Sequence, residues 1–280
     1  MADPSSSGEN PLHFRLIEPT IALQGAVVVS HGYAEHSGRY GHVARAMADS
    51  GFGVLLYDHR GFGRSPGRPA FIARISRLVE DLGHMLTAAR SAWTDVPVVL
   101  FGHSMGGLIA TLYALRNPGA VDGLILSSPL LKSSEAAILQ RFATVIGEVA
   151  PRLPTIKMDR SAISRETDVV EQANADPLNY HGRIPARTGA EFIRGMREVE
   201  REGHRLDMPL LVFHGTADRL TDPDGSAELY ARASTDHKQL SLFEGAYHET
   251  FNDLDRDRVI EGVVTWMTDL AEDVGTESVA

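Results

Sequence analysis

The chain has 280 residues, 43% of them hydrophobic and 23% charged, with a formal net charge of −10 and no cysteine. That composition belongs to a globular protein with room for a sizeable core; the acidic balance argues against nucleic acid as a partner, and the missing thiols exclude disulfides, thiolate catalysis and cysteine-ligated zinc. No window reaches the ~18 unbroken apolar residues of a membrane helix, and residues 1–11 read as a flexible leader without the basic-then-apolar order of a signal peptide, so the cytoplasm is the expected location.

Short apolar runs bounded by turn residues recur along the chain at 26–30, 54–57, 98–101, 124–127, 210–213 and 240–243, after a first strand-like stretch at 13–17. Each is nearly continuous in hydrophobicity, as strands buried on both faces of a parallel sheet are. Helical patterns at 40–50, 78–93, 108–116, 226–233 and 259–270 separate them. Alternating strand and helix predicts a doubly wound α/β domain. Such sheets carry their sites beyond the C-terminal ends of the strands, where this chain has His31-Gly32, Asp58-His59-Arg60-Gly61, Ser104, Asp218 and His248.

Residues 130–207 break the rhythm. They contain no core-strand run and instead offer amphipathic stretches around Ala136, Ile138, Leu139, Phe142, Val145, Ile146 and Val149. An interval this long is not a plain loop, so it is expected to fold as a mostly helical cap inserted between two halves of a core, 1–129 and 208–280. From Leu131 to Asp207 there are 12 basic and 12 acidic residues, so the whole net charge lies outside the insertion. The polar residues 271–280 are expected to fray.

The most informative residues are Gly102-His103-Ser104-Met105-Gly106, directly after the strand-like Val98-Val99-Leu100-Phe101 and before a helical run. A serine framed by glycines on a strand-to-helix turn is a nucleophile elbow. Serine is a poor nucleophile at its free pKa and needs a base held by an acid, in the chain order serine, acid, histidine for this architecture. The strand at 210–213 runs into His214-Gly215-Thr216-Ala217-Asp218, and the next strand into Glu244-Gly245-Ala246-Tyr247-His248. Asp218 and His248 therefore stand where the order requires. Asp222 is the rival acid, but Thr221-Asp222-Pro223-Asp224 reads as a helix start. Among the remaining histidines, His36, His59, His103, His181 and His214 are within reach of such a site, and none follows the last strand. The oxyanion needs donors; the backbone amide of Met105, after the nucleophile, is one, and that of Tyr33, after the first parallel strand, is the other. No metal-ligand spacing and no nucleotide-binding glycine pattern is present, so no cofactor is expected.

These residues resemble the monoacylglycerol lipases of the α/β-hydrolase superfamily, the serine aminopeptidase S33 or hydrolase 4 group. The resemblance rests on His31-Gly32-Tyr33-Ala34-Glu35-His36-Ser37-Gly38-Arg39-Tyr40, Asp58-His59-Arg60-Gly61-Phe62-Gly63-Arg64-Ser65 and Gly102-His103-Ser104-Met105-Gly106-Gly107. It continues through Asp176-Pro177-Leu178, His214 to Leu220 and Glu244 to Glu249. It implies an α/β-hydrolase fold, a Ser104, Asp218, His248 triad and cofactor-free cleavage of a small-molecule lipid ester, a monoacylglycerol, to fatty acid and glycerol. It also implies a polar glycerol end near Glu35 and Arg39, whose other reading is an ion pair fixing the loop, and a cap that meets a membrane or lipid interface near residues 138–149. Two departures stand out: Tyr33 replaces the usual small residue and is expected to narrow the glycerol end or reach a polar substrate group, and the N-terminal region is short of a leading hairpin. A carboxylesterase acting on other small-alcohol or aromatic monoesters shares every catalytic residue, and a ligand-binding protein of negligible turnover shares the fold. Oligomeric state is not legible.

Overall fold

The computed structural model describes residues 11–132 and 144–277. The expected leader, and Ala136, Ile138, Leu139 and Phe142 of the expected amphipathic stretch, lie outside the described residues. Seven strands form one sheet: β1 (Phe14–Ile17), β2 (Gly25–Ser30), β3 (Phe52–Tyr57), β4 (Val98–His103), β5 (Gly123–Ser127), β6 (Leu210–Gly215) and β7 (Lys238–Phe243). Their spatial order is β1-β3-β2-β4-β5-β6-β7. Among the described residues β1 alone runs antiparallel, with Phe14 opposite Tyr57 and Ile17 opposite Val54.

The helices are α1 (Gly41–Asp49), α2 (Ile75–Ala92), α3 (Met105–Arg116), α4 (Thr167–Ala175), α5 (Ala186–Glu202), α6 (Pro223–Arg232) and α7 (Arg256–Glu277). Alternate residues of the central strands divide between two apolar layers: Val28, Leu100, Leu124 and Leu126 face α2, α3 and α5, while Val27, Val29, Val99, Phe101 and Ile125 face α1 and α7. This is why the strands read as continuous apolar runs rather than alternating ones. β7 is the exception. As the edge strand it is covered incompletely, and Leu242 is 47% exposed. The last helix keeps one face buried through Val259, Val263, Met267 and Leu270, and its backbone is helical to Glu277.

Between β5 and β6 the chain forms helical residues 144–149, then α4 and α5, joined by an isolated bridge between Pro154 and Pro185. The long helix α5 does not sit apart from the sheet layers. Phe192, Ile193, Met196 and Val199, at helical spacing, belong to the same apolar cluster as α2 and α3. Val145, Val149, Leu153 and Ile156 in the same interval remain exposed.

The strand order reverses direction at β2, whose neighbours are β3 and β4. Ligand crevices of open α/β sheets form at such a switch point, above the strand ends. The loops that leave β2 and β4 there carry His31-Gly32-Tyr33 and Ser104.

Candidate active site

Ser104 occupies the tip of the turn between β4 and α3 with φ 53 and ψ −117, a conformation that side-chain-bearing residues rarely adopt. The turn is closed by hydrogen bonds on both sides: the Ser104 amide donates to Ser127 O at 3.0 Å, and its carbonyl accepts from Leu108 N at 3.1 Å and Leu130 N at 2.9 Å. The flanking glycines are there because backbone passes too near for any side chain. A Cβ on Gly102 would meet Gly106 O at 2.6 Å, and one on Gly106 would meet Ser30 O at 2.0 Å. Ser104 is therefore strained, held from the strand beside it, and only partly buried.

Asp218 and His248 arrive from the loops after β6 and β7. Asp218 is wholly buried, and its Oδ2 lies 2.7 Å from His248 Nδ1. A carboxylate only accepts, so His248 Nδ1–H donates and Nε2 is left with its lone pair, the tautomer a general base needs. Oδ2 also takes His214 Nε2–H at 3.0 Å and lies 2.8 Å from Thr221 Oγ1, while Oδ1 accepts the amides of Leu220 at 2.7 Å and Thr221 at 3.1 Å. Burial alone raises a carboxyl pKa; here His248, His214 and these donors overcome it and hold Asp218 far below the carboxylate range. For His248 the same competition runs in reverse: burial disfavours the imidazolium, and Asp218 foremost, with Glu249 and Glu35, outweighs it and lifts the pKa above its ordinary value. The rival Asp222 instead caps α6, accepting from Asp224 N at 3.0 Å.

The five nearby histidines serve different ends. His103 lies against His248 with ring centroids 4.7 Å apart, and its Nδ1 lies 3.1 Å from Ser127 O. Burial and the neighbouring His248 push its pKa well down, so a neutral ring backs the base. His214 supports Asp218 and takes a hydrogen bond from Ser226 Oγ at 2.7 Å through its other nitrogen. His59 is buried beneath the loops, next to Ser30 Oγ at 3.0 Å. His36 Nε2 reaches Asp176 at 2.9 Å and so ties the segment after β5 to the loop after β2, whereas His181 meets Asp176 O at 2.9 Å and Arg160 at 2.5 Å within that segment. Asp58 braces the loops around it, accepting Ser37 N at 2.8 Å, Ser37 Oγ at 2.6 Å and Arg64 N at 2.8 Å. Among the described residues no group of three His, Cys, Asp or Glu could hold a metal ion, and no helix is long and apolar enough to cross a membrane.

The amides of Met105 and Tyr33 donate to no acceptor among the described residues. Glu35 fixes the second of these loops: its Oε1 accepts Gly32 N at 2.6 Å and Tyr40 OH at 2.6 Å, and its Oε2 accepts Arg39 at 2.9 Å. Arg39 in turn holds both oxygens of Glu249, at 2.5 and 2.7 Å. The Tyr33 side chain lies in an aromatic cluster. Its ring packs edge-on against Phe62, Tyr180 and Phe192, and its hydroxyl lies 3.4 Å from Ala70 O. The expected pairing of Asp218 with His248 is present; His214, at the end of β6, and Thr221 were not expected as partners of Asp218, and neither stands out until the turn after β6 is folded.

A family model described as serine aminopeptidase S33 matches residues 22–255. The chain is 37% identical over 251 residues to a monoacylglycerol lipase of Mycolicibacterium smegmatis, covering 89% of this chain and 90% of that one. It is 34% identical over 272 residues to the monoglyceride lipase of Homo sapiens, covering 95% and 90% respectively. A solved structure of a monoacylglycerol lipase from Paleococcus ferrophilus superposes with a TM-score of 0.85 at 30% identity, over 93% of this chain and all of the other.

Proposed function

The chain belongs to the serine aminopeptidase S33 family and has the α/β-hydrolase fold, and from that premise we propose that this carboxylic ester hydrolase cleaves monoacylglycerols to fatty acid and glycerol. The observation that carries the reading is the pairing of a buried carboxylate and histidine, 2.7 Å apart, in the loops after β6 and β7, together with a strained serine on the turn after β4 at the same end of the parallel sheet. The relatives that cover most of this chain supply the substrate class.

In this reading His248 Nε2 takes the Ser104 hydroxyl proton as Oγ attacks the ester carbonyl carbon. The amides of Tyr33 and Met105 hold the oxyanion. The C–O bond to glycerol breaks, His248 returns the proton to the departing alkoxide, and water attacks the acyl-enzyme with His248 again as base. Asp218 stays ionised throughout and stabilises the transient imidazolium. Glu35 and Arg39 define the polar end by fixing the 31–40 loop, since Glu35 directly orients the peptide before Tyr33. Residues 130–207 form the cap, and the exposed Val145, Val149, Leu153 and Ile156 are the side chains that would meet a lipid interface.

The test is the specificity constant for a monoacylglycerol series against matched methyl and nitrophenyl esters, with diacyl- and triacylglycerols included and Ser104→Ala as control. Preference for monoacylglycerols supports the proposal. Equal or better turnover of simple esters leaves an esterase, and activity that survives in Ser104→Ala removes the nucleophile assignment.

A further inference from the structure

The loop that carries His248 is tied to residues 86 to 90 positions earlier in the chain. His248 N and Glu249 N donate to the carbonyls of Ala162 and Ile163, at 3.5 and 2.7 Å, in the segment between β5 and α4. Just beyond, Ser164 Oγ donates to Asn252 O at 2.9 Å. The centre of this junction is Asp253, whose side chain is fully buried. Its Oδ2 accepts Tyr247 N, the residue before His248, at 2.8 Å and Arg165 Nε at 2.9 Å. Its Oδ1 accepts Arg165 N and Leu254 N, both at 2.9 Å. Arg165 continues to Asp255 at 2.6 Å.

A buried carboxylate with four such donors is a rigid node, because each bond it makes is charge-assisted and none can be replaced by water without exposing the group. Two donors belong to the histidine loop and two to Arg165. We propose that Arg165 and Asp253 are positioning residues for hydrolysis: the segment after β5, clasped through this node, sets where the backbone of residues 247–249 stands and hence where the His248 ring meets Asp218 and Ser104. Neither residue touches the reacting atoms. Their effect passes through placement, to which rates are steep: a misplacement of about 1 Å can cost ~100-fold. The inference rests on the reading of His248 as the base.

Full-length Arg165→Gln, Arg165→Lys, Asp255→Asn and His248→Gln are compared with the unsubstituted enzyme by steady-state kinetics on a soluble monoacylglycerol and by thermal unfolding. Arg165→Gln keeps every backbone bond at the node, that of Arg165 N to Asp253 included, and removes only the guanidinium arm that reaches Asp253 and Asp255. The expected result is a kcat lowered about 10- to 100-fold with KM within about twofold, part of which Arg165→Lys restores, while Asp255→Asn keeps nearly full kcat. Full kcat in a folded Arg165→Gln overturns the inference, as does an equal loss in Asp255→Asn, which would place the role of Arg165 at Asp255. If Arg165→Gln does not fold, Arg165→Lys decides: lowered kcat at unchanged KM supports the clasp, and full kcat overturns it. Residual hydrolysis undiminished in His248→Gln would sink the reading of the base, whereas an inactive His248→Gln beside a fully active Arg165→Gln would sink only the clasp.

Discussion

Arg39 grips Glu249 through both terminal nitrogens, at 2.5 and 2.7 Å, and so binds the residue next to His248 to the turn that precedes α1. Arg39 and Glu249 are 13% and 4% exposed, and Glu35 shares the same guanidinium. A cation so placed is a brace between two loops that must face each other across the site.

Arg39→Ala is therefore expected to leave two buried carboxylates facing each other and to lower the unfolding free energy by roughly 3–5 kcal/mol, read from urea unfolding curves. Arg39→Lys keeps the charge but not the fork and should fall between. Should Arg39→Ala unfold at the unsubstituted midpoint while KM alone rises, the side chain is a substrate ligand and not a brace.

The pH profile follows from His248. Hydrolysis requires the neutral ring, and Asp218 together with Glu249 and Glu35 outweighs burial to raise the pKa, so kcat/KM should fall on the acid side with an apparent pKa above the ordinary ~6.5. Neighbouring His103 is kept neutral by burial and Arg39 remains charged, so neither supplies that limb. In Asp218→Asn the foremost raising charge is gone while burial, Glu249 and Glu35 stay; the limb should move to lower pH and kcat should drop about 10⁴-fold. The stability linkage has opposite signs for the two partners. The raised pKa of His248 adds stability that is whole below ~6.5 and lost as pH rises through its folded value, and the depressed pKa of Asp218 adds stability that is whole above ~3.9 and lost as pH falls.

Strain at Ser104 predicts a trade between stability and activity. Its φ of 53 is free for glycine and costs other residues about 1–3 kcal/mol. Ser104→Gly should unfold at a higher denaturant concentration than Ser104→Ala, by about 1 kcal/mol, with both inactive. Equal midpoints would mean that the hydrogen bonds of Ser104 to Ser127, Leu108 and Leu130 already absorb the strain.

Tyr33 separates ring from hydroxyl. Tyr33→Phe loses only a long contact to Ala70 O, 3.4 Å, and should cost under about 1 kcal/mol. Tyr33→Ala empties a site between Phe62, Tyr180 and Phe192 and should cost roughly 3–5 kcal/mol, with kcat lowered about tenfold as the amide of Tyr33 loses its fixed position. A Tyr33→Ala enzyme with unchanged kcat would remove that amide from the oxyanion site.

The strands β2 to β6 were legible because each buries both faces and so advertises itself as an apolar run; β7 read the same way although it is a half-exposed edge, since Leu240, Leu242 and Phe243 do not reveal which neighbours cover them. Ser104 and Asp218 were legible because local chain punctuation, glycine after strand or small residues after strand, marks them. Arg165 and Asp253 left no such trace. Their bond spans 88 positions, and no periodicity links a Ser-Arg pair in one loop to an Asn-Asp pair in another. The surroundings of Tyr33 were hidden for a related reason: its position on the chain was evident, but its ring packs against Phe192 and Tyr180, which arrive from the insertion.

The contact between Gly106 and the Ser30 carbonyl, 2.0 Å from where a Cβ would stand, limits which descendants this gene can leave. A codon change at 104 alters the chemistry and spares the scaffold, whereas any change at 106 pushes β2 and α3 apart and takes the scaffold with it. Variation can therefore explore nucleophiles, substrates and cap shapes around this turn, while the glycine itself admits no neutral neighbour in sequence space and must be inherited as it stands.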